Sequence, residues 1–182
     1  MNRCDWCKGD DLYIKYHDEE WGVPVHDDRK HFEFLMLESM QAGLSWITIL
    51  RKRENFRKAF DDFDYEKIST YDENKIQELL NNEGIIRYRR KIEATINNAN
   101  RFMEIQKEYG SFDKYIWGFS DNEVIMNNYD NISEVPPKSD LSDRVSKDLK
   151  KKGFKFVGSV TIYAHLQAIG VINDHINSCF KK

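Results

Sequence analysis

The sequence has few of the residues that build linkers or disulfide frameworks. Its 182 residues include three prolines, nine glycines and three cysteines, and they contain no internal repeat. This composition excludes a linker-rich or low-complexity chain. Three cysteines leave one thiol unpaired in any disulfide scheme. Because a reducing compartment keeps thiols free or bound to metal, we expect a cytoplasmic protein.

Long apolar segments are also absent. The longest, from Phe156 to Ile172, is interrupted by polar residues such as Ser159 and His165, and no basic leader with a short apolar run opens the chain. We therefore expect neither a secreted nor a membrane-spanning protein. With 40% hydrophobic side chains, the chain can bury a core without a partner. We expect a monomer with a single domain, residues 1–182, or two packed helical subdomains.

The chain lacks an excess of basic residues, since its formal net charge is −3. Its basic residues are nevertheless concentrated in three runs, residues 51–58, 87–91 and 144–155. A basic face on an acidic protein indicates a nucleic-acid partner. Each run taken alone is explained more simply by a solvated helix face.

The hydrophobic pattern predicts an all-α fold. Apolar residues recur at helical spacing through most of the chain, and strand signals are nearly absent. Two of the predicted helices, residues 28–41 and 160–170, are apolar on almost every side, which is typical of buried helices. Residues 119–138 are predicted to be a loop with a short helix. The other predicted helices span residues 44–60, 73–81, 87–109 and 138–152. Asp27 or Asp28 is predicted to cap the helix at 28–41, Asp72 to cap the helix at 73–81, and Gly110 to end the helix at 87–109.

A short turn with a glycine at each end joins the last two predicted helices. Gly153 and Gly158 allow the backbone to turn sharply and to approach another backbone closely. With Lys151, Lys152 and Lys155 nearby, the N–H groups of such a turn can hold a DNA phosphate. An ordinary corner between two helices has the same pattern, so the residues alone leave both interpretations open.

Cysteine and histidine occur together near each end of the sequence. Cys4 and His17 lie near one end, His175 and Cys179 near the other. Their spacing would place His175 and Cys179 on one face of a helix. Two thiolates and two imidazoles form a tetrahedral set that closes around a structural zinc ion. Cys7 is an alternative ligand, and burial without a metal is the simpler explanation of an isolated cysteine.

Glu38 lies among apolar neighbours on the first predicted buried helix. A carboxylate there needs a partner or a function, because an unpaired buried charge is costly. Aromatic residues, which usually fill cores, are dense in this part of the sequence. Aromatic walls with one acceptor suit a flipped, electron-poor purine, which stacks on electron-rich rings and donates an amino group. The aromatic residues are Trp6, Tyr13, Tyr16, Trp21 and Trp46.

Short blocks spread over nearly the whole chain form a pattern. They are C-x-W at residues 4–6, LYIKYHDEEWGVP at 12–24, LESMQAGLSWITIL at 37–50, EGIIRYRRKI at 83–92, KKGFKFVG at 151–158 and INDHINSC at 172–179. Together, and in this order, the blocks resemble the DNA-3-methyladenine glycosylase I family. Only residues 112–143 carry no diagnostic motif.

The resemblance implies a helix-hairpin-helix DNA glycosylase fold in which residues 151–158 contact the DNA backbone. It implies a structural zinc ion that joins the N- and C-terminal segments. The implied activity is hydrolysis of the N-glycosidic bond of 3-methyladenine, flipped out of alkylated duplex DNA, which leaves an abasic site for base excision repair. The implied zinc ligands are Cys4, His17, His175 and Cys179.

The resemblance also assigns roles in the pocket. Trp46 would stack on the base, and Glu38 and Tyr16 would read its edge, which makes Glu38 the candidate catalytic residue. Helix-hairpin-helix glycosylases more widely place a catalytic aspartate shortly after the hairpin helix. The nearest candidate is Asp174, but it lies beside His175, and we predict no general-base role for it. The implied pocket residues are Tyr13, Tyr16, Trp21, Glu38 and Trp46, and Trp6 joins them as a member of the aromatic set.

A non-enzymatic alternative is a zinc-stapled helical adaptor whose aromatic groove holds a peptide or a nucleoside. This alternative explains the metal ligands and the aromatic residues. It leaves Glu38 and the basic hairpin without a role, so the sequence favours the enzyme.

Overall fold

The structure is a computed structural model that describes residues 1–182. Nine α-helices make up most of the protein. None of the helices combines the length and the apolar character that a transmembrane span requires. Short 3-10 segments lie at Asp5–Cys7, Asp61–Phe63, Gly118–Ser120 and Ile132–Glu134. The helices are α1 (Asp11–Glu19), α2 (Asp28–Gln41), α3 (Trp46–Ala59), α4 (Tyr65–Ile68), α5 (Glu73–Leu80), α6 (Arg89–Tyr109), α7 (Phe112–Trp117), α8 (Asp140–Lys151) and α9 (Ser159–Ala168).

Two strands of two residues each, β1 (Ile125–Met126) and β2 (Ile172–Asn173), are the only β-structure. They pair in parallel, with Ile125 opposite Ile172 and Met126 opposite Asn173. Two residues are too few to produce an alternating pattern, so no sequence signal indicates these strands. The prediction of a mostly helical fold is confirmed.

The helix boundaries follow the capping residues that the sequence predicts. The Asp27 carboxylate accepts a hydrogen bond from the Lys30 backbone at the start of α2, and Asp72 does the same for Lys75 at the start of α5. Gly110 ends α6 with a φ of 90°, in the left-handed region that favours glycine. These boundaries confirm the predicted helices to within a few residues.

Helix α2 lies at the centre of the molecule. Its residues from His31 to Met40 are all buried, and it packs against α3, α6, α7 and α9. The core is one continuous cluster of 43 buried hydrophobic residues that extends from Cys4 to Cys179. Both ends of the chain therefore share one core, and Glu38 on α2 lies inside it.

The turn between α8 and α9 is held by side chains of α6. The Asn98 amide donates to the Lys155 carbonyl and accepts from the Lys155 N–H, both at 2.9 Å, and Asn97 donates to the Gly153 carbonyl at 2.9 Å. The expectation that both glycines let the backbone turn sharply holds for only one of them. Gly153 has a φ of 88°, but the φ of Gly158 is −61°, and the second positive φ, 56°, belongs to Phe156.

The end of α9 lies directly against the segment that follows α1. The Gly22 N–H donates to the Gln167 carbonyl at 2.9 Å, and the Val25 N–H donates to the Ile169 carbonyl at 3.0 Å. Gly170 follows with a φ of 75°, and a Cβ atom there would lie 2.3 Å from the carbonyl carbon of Val23. The two backbones can approach this closely only because residue 170 is a glycine.

We expect Gly170→Ala to destabilise the protein by more than about 4 kcal/mol, because the methyl group would force the two backbones apart. The matched control is Gly9→Ala, since Gly9 has a φ of 90° but nothing within 4 Å of the added Cβ. That variant carries only the left-handed strain, about 1–2 kcal/mol. Urea denaturation measures both free energies, and similar losses in the two variants would contradict the steric argument.

Candidate functional site

A cavity of about 330 Å³ opens between α1, α2, α3 and α9. The structure brings all six predicted pocket residues to its wall. Tyr13 and Tyr16 lie on one face of α1, Glu38 comes from the last turns of α2, and Trp46 is the first residue of α3. The lining is completed by residues from other parts of the chain. The full lining is Trp6, Tyr13, Tyr16, Trp21, Glu38, Gln41, Trp46, Ile132, Val135, Ala164 and Gln167.

The aromatic rings of the wall pack mainly edge to face. Trp6 meets Tyr13 with ring centroids 4.9 Å apart and Trp21 with centroids 5.0 Å apart, and Tyr16 lies 5.5 Å from Trp46. This packing fixes the rings before any ligand enters. The indole N–H groups of Trp6 and Trp46 are buried without a hydrogen-bond partner. Buried donors without partners are rare, so both are available to a ligand.

Glu38 is 5% exposed and has neither an ion pair nor a hydrogen bond in the protein. Burial raises the pKa of its carboxyl to about 8, because desolvation disfavours the carboxylate. The group is therefore neutral in the empty pocket at neutral pH. A cation placed against it would favour the ionised form, so the pocket is suited to select a positively charged ring.

Five wall residues were missed by the sequence analysis. Gln41 follows Glu38 by three positions and so shares its helix face, a signal that the spacing could have given. Ala164 and Gln167 share a face of α9 in the same way. Ile132 and Val135 come from the segment without a motif, and no sequence pattern indicates that this loop reaches the pocket.

Asp174 lies behind the pocket wall and does not line it. Its carboxylate is buried and accepts hydrogen bonds from Asn127 at 2.7 Å, Tyr163 at 2.5 Å and Gln167 at 2.7 Å. Three donors satisfy the carboxylate, and it does not reach the cavity, so the absence of a general-base role stays a prediction that this geometry supports. The group instead fixes the Gln167 side chain, which does line the cavity.

A second cluster lies beside the pocket. The ligand atoms of Cys4, His17, His175 and Cys179 all lie within 4.8 Å of one another, and all four residues are buried. The Cys179 Sγ lies 3.5 Å from His17 Nε2 and 3.5 Å from His175 Nδ1, and the Cys4 Sγ lies 3.7 Å from His175 Nδ1. Zinc bonded tetrahedrally to sulfur and nitrogen would separate such atoms by about 3.6 Å. The four side chains therefore fit one metal ion.

The second nitrogen of each histidine has a fixed acceptor. His175 Nε2 lies 3.0 Å from the Trp21 carbonyl, and His17 Nδ1 lies 2.7 Å from the Asp18 carboxylate. These bonds set the tautomers and direct the other ring nitrogen into the cluster, as in known metal sites. Burial lowers the pKa of both imidazoles, to about 4 for His175, so both are neutral, as metal ligands must be.

Cys7, the alternative ligand, lies outside the cluster. Its Sγ donates to the Cys4 carbonyl at 3.1 Å. The helix expected to carry His175 and Cys179 is absent, because the residues after β2 form turns. The prediction of a helix here is therefore wrong. The two side chains nevertheless lie close together, because the turns bring them to the same cluster.

The lysines of the hairpin differ in their surroundings. Lys151 and Lys155 are exposed and have no ion pair, whereas Lys152 pairs with Glu108 at 2.8 Å. The Phe156 carbonyl accepts a hydrogen bond from Ser39, the neighbour of Glu38, at 3.2 Å. The hairpin therefore contacts α2 one residue from Glu38 and presents two lysines without an ion pair.

Two of the three basic runs are less exposed than the sequence suggests. In residues 51–58, Arg53 is buried and paired with Glu20 and Glu33. In residues 87–91, Lys91 is buried as well. The hypothesis that these runs form a free basic face is wrong for these two side chains, because each is held by acceptors inside the protein.

Comparisons with known proteins agree with this geometry. A family model described as methyladenine glycosylase matches residues 6–182. The DNA-3-methyladenine glycosylase 1 of Escherichia coli (strain K12) is 45% identical over 179 residues, which are 98% of this chain and 96% of that protein. A crystal structure of a 3-methyladenine DNA glycosylase I is 47% identical, with a TM-score of 0.95 and 98% of each chain covered.

A further solved structure, from Staphylococcus aureus, concerns the recognition of 3-methyladenine by 3-methyladenine DNA glycosylase I. It is 38% identical, with a TM-score of 0.96, and the match covers 100% of this chain and 97% of that one. The family model spans nearly the whole sequence, and relatives above 30% identity are covered almost end to end. The chain therefore belongs to the methyladenine glycosylase family.

Proposed function

We propose that the protein is a DNA repair glycosylase that takes 3-methyladenine out of alkylated duplex DNA and hydrolyses its N-glycosidic bond, leaving an abasic site. The observation that carries this proposal is the aromatic cavity with one buried, unpartnered carboxyl group, Glu38. The relatives named after this activity support it. The flipped base is the species that would fill the cavity, since a glycosylase cannot reach its bond inside the stack.

Selection of the base follows from charge. Methylation at N3 leaves the purine cationic, so it stacks well on the electron-rich faces of Trp46 and its neighbours. Its exocyclic amine would donate to Glu38, with Tyr16 beside it. When the cation enters, Glu38 releases its proton to water and becomes the paired carboxylate. Neutral adenine would leave the carboxyl protonated and would be held less well.

The chemical step demands little of the protein, because a cationic purine is already a good leaving group. As the bond to the sugar breaks, its electron pair moves to the purine and neutralises it. Water adds to the sugar carbon and releases one proton to the solvent. Positive charge passes to the sugar during this step. The Glu38 carboxylate, in a site of low dielectric, attracts that charge, which makes Glu38 our candidate catalytic residue.

We further infer a helix-hairpin-helix glycosylase fold in a single domain, residues 1–182. The hairpin between α8 and α9 is rigid, because Asn98 holds both backbone groups of Lys155. Its exposed lysines, Lys151 and Lys155, would bind DNA phosphates. The placement of Phe156 against Ser39 on α2 supports a hairpin that docks the backbone beside the pocket.

We infer that the metal is zinc and that it is structural. Two thiolates and two imidazoles are a donor set that zinc prefers, and four protein ligands leave no open position for water. The ion would tie the segment that carries Trp6 to the segment after β2. Its contribution is therefore to hold one wall of the pocket in place.

The pocket is tested by the release of free 3-methyladenine from methylated DNA. Trp46→Ala removes a stacking face worth roughly 1–3 kcal/mol and should weaken binding of the free base by about ten- to a hundredfold. Glu38→Gln keeps the shape and removes the charge, so it should slow release while the fold persists. The matched control is Glu104→Gln, an exposed glutamate on α6.

The pH profile of kcat/KM separates the two states of Glu38, since it reports the pKa of the free enzyme. Because the ionised form binds the cation, kcat/KM of the wild type should rise with pH through about 8, the pKa of the carboxyl. The Gln variant should lose this rise. If both pocket variants release 3-methyladenine at the wild-type rate, the aromatic cluster is only part of the hydrophobic core. If the wild-type protein releases no 3-methyladenine, the non-enzymatic adaptor becomes the favoured interpretation.

The hairpin is tested by the dependence of DNA affinity on salt. Lys151→Ala and Lys155→Ala should weaken binding equally for all sequences and lower the slope of log K against log salt by about 0.9 for each phosphate that the variant no longer binds. Lys152→Ala should change the slope less, because Glu108 already pairs with that lysine. Unchanged slopes for Lys151→Ala and Lys155→Ala would remove the hairpin from the DNA interface.

The metal is tested by analysis of the purified protein, which should hold one zinc ion per chain. Cys179→Ala should lose metal and thermal stability together, since a structural site contributes to the free energy of folding. Cys7→Ala should keep the metal, because its thiol lies outside the cluster. Retention of zinc by Cys179→Ala would contradict the ligand set.

A further inference from the structure

Lys91, in the first turn of α6, has its ammonium group inside the protein. The residue is 7% exposed, and burial lowers the pKa of its side chain. It has no carboxylate partner. Its Nζ donates instead to the carbonyls of Met40 and Ala42, at 2.8 and 3.0 Å.

The dipoles of two helices, α6 and α2, act on the Lys91 ammonium group in opposite ways. A cation in the first turn of a helix is disfavoured by the dipole of that helix, here α6. The carbonyls that it reaches belong to the end of α2, where the dipole favours a cation. A buried ammonium without an anion is costly, so these two bonds are what make the position tolerable. Lys91 thus caps the helix that carries Glu38.

The turn after α2 has little else to hold it. Ala42, Gly43, Leu44 and Ser45 are all exposed, so no core packing fixes them. The backbone hydrogen bonds of the turn are local, from Leu44 to Gln41 and from Thr48 to Ser45. The bonds from Lys91 are the ones that reach the end of α2 and the turn from a distant helix.

This turn sets the geometry of the pocket. It joins Glu38, near the end of α2, to Trp46, the first residue of α3, and both line the cavity. Any change in the path of the turn changes the distance and angle between the acceptor and the stacking face. A shift of this kind alters binding even when every side chain of the wall is still present.

We propose that Lys91 is a positioning residue for the base pocket. By holding the carbonyls of Met40 and Ala42, it fixes Trp46 relative to Glu38 without touching the base itself. This role rests on the proposed function, because it concerns how the same cavity holds its ligand. It differs from a role in stability alone, which would leave the affinity of the folded protein for the base unchanged.

The test compares Lys91→Met with Lys107→Met, the same substitution at an exposed lysine of the same helix. The dissociation constant of free 3-methyladenine is measured by tryptophan fluorescence at a temperature at which circular dichroism finds both variants folded. Lys91→Met should raise that constant about tenfold, the effect of about one charged hydrogen bond, and Lys107→Met should leave it unchanged. A folded Lys91→Met with wild-type affinity would overturn the proposal.

Gly43→Ala covers the case in which Lys91→Met does not fold. Gly43 has a φ of 84° and nothing within 4 Å of an added Cβ, so alanine strains the turn without a clash. It should weaken binding of the base in the same way, and wild-type affinity would overturn the link between turn and pocket.

Hydrogen exchange separates this proposal from the proposed function. Faster exchange at residues 42–46 in Lys91→Met, but not in Lys107→Met, supports the role of Lys91 in holding the turn. A wild-type protein that releases no 3-methyladenine would refute the proposed function, whatever the exchange rates are. Unchanged exchange at residues 42–46 in Lys91→Met would refute the role of Lys91 alone.

Discussion

The burial of α2 is the constraint on which the rest of the structure depends. A helix enclosed on all sides must satisfy every polar group that it carries. Glu33 is satisfied by Arg53 at 2.7 Å, and His31 is satisfied through one ring nitrogen by Asp113 at 3.0 Å. Glu38 alone among the carboxylates of this buried stretch has no partner. At one end of the helix, Glu33 and one nitrogen of His31 are thus paired within the protein, while Glu38 at the other end is left for a ligand.

Side chains of helix α6 hold both the turn that follows α2 and the hairpin between α8 and α9. Near its start, Lys91 holds the turn that follows α2, and two turns later Asn97 and Asn98 hold the hairpin before α9. One rigid element therefore sets the position of the pocket wall and of the segment proposed to bind DNA. Because a helix rises 1.5 Å per residue, the two contacts lie about 10 Å apart along the same axis.

Much of the fold and of the pocket followed from the sequence. Capping residues such as Asp27 and Asp72 placed the helices, and Glu38 stood out as a carboxylate on an apolar helix. The loop residues Ile132 and Val135 could not be predicted, since their approach to the pocket depends on tertiary packing that leaves no periodic signal.

The surroundings of several polar residues were predicted wrongly from the sequence, and the reason is physical. Lys91 belongs to a basic run, and only the structure reveals that the carbonyls of α2 receive its ammonium group. His175 and Cys179 have helical spacing, yet turns bring them together. The surroundings of such side chains are set by hydrogen bonds to backbone groups that are distant in sequence. The neighbouring residues in the sequence do not indicate these bonds.

The joining of distant segments at the metal cluster has a consequence for how the protein is made. Cys4 and His17 leave the ribosome long before His175 and Cys179, so the early segment waits for most of the chain to be synthesised. Trp6 lies on that early segment and packs against His17, with ring centroids 5.4 Å apart. The last two ligands are therefore synthesised only near the end of translation, so the cluster can hold the segment that carries Trp6 only after nearly the whole chain has been made.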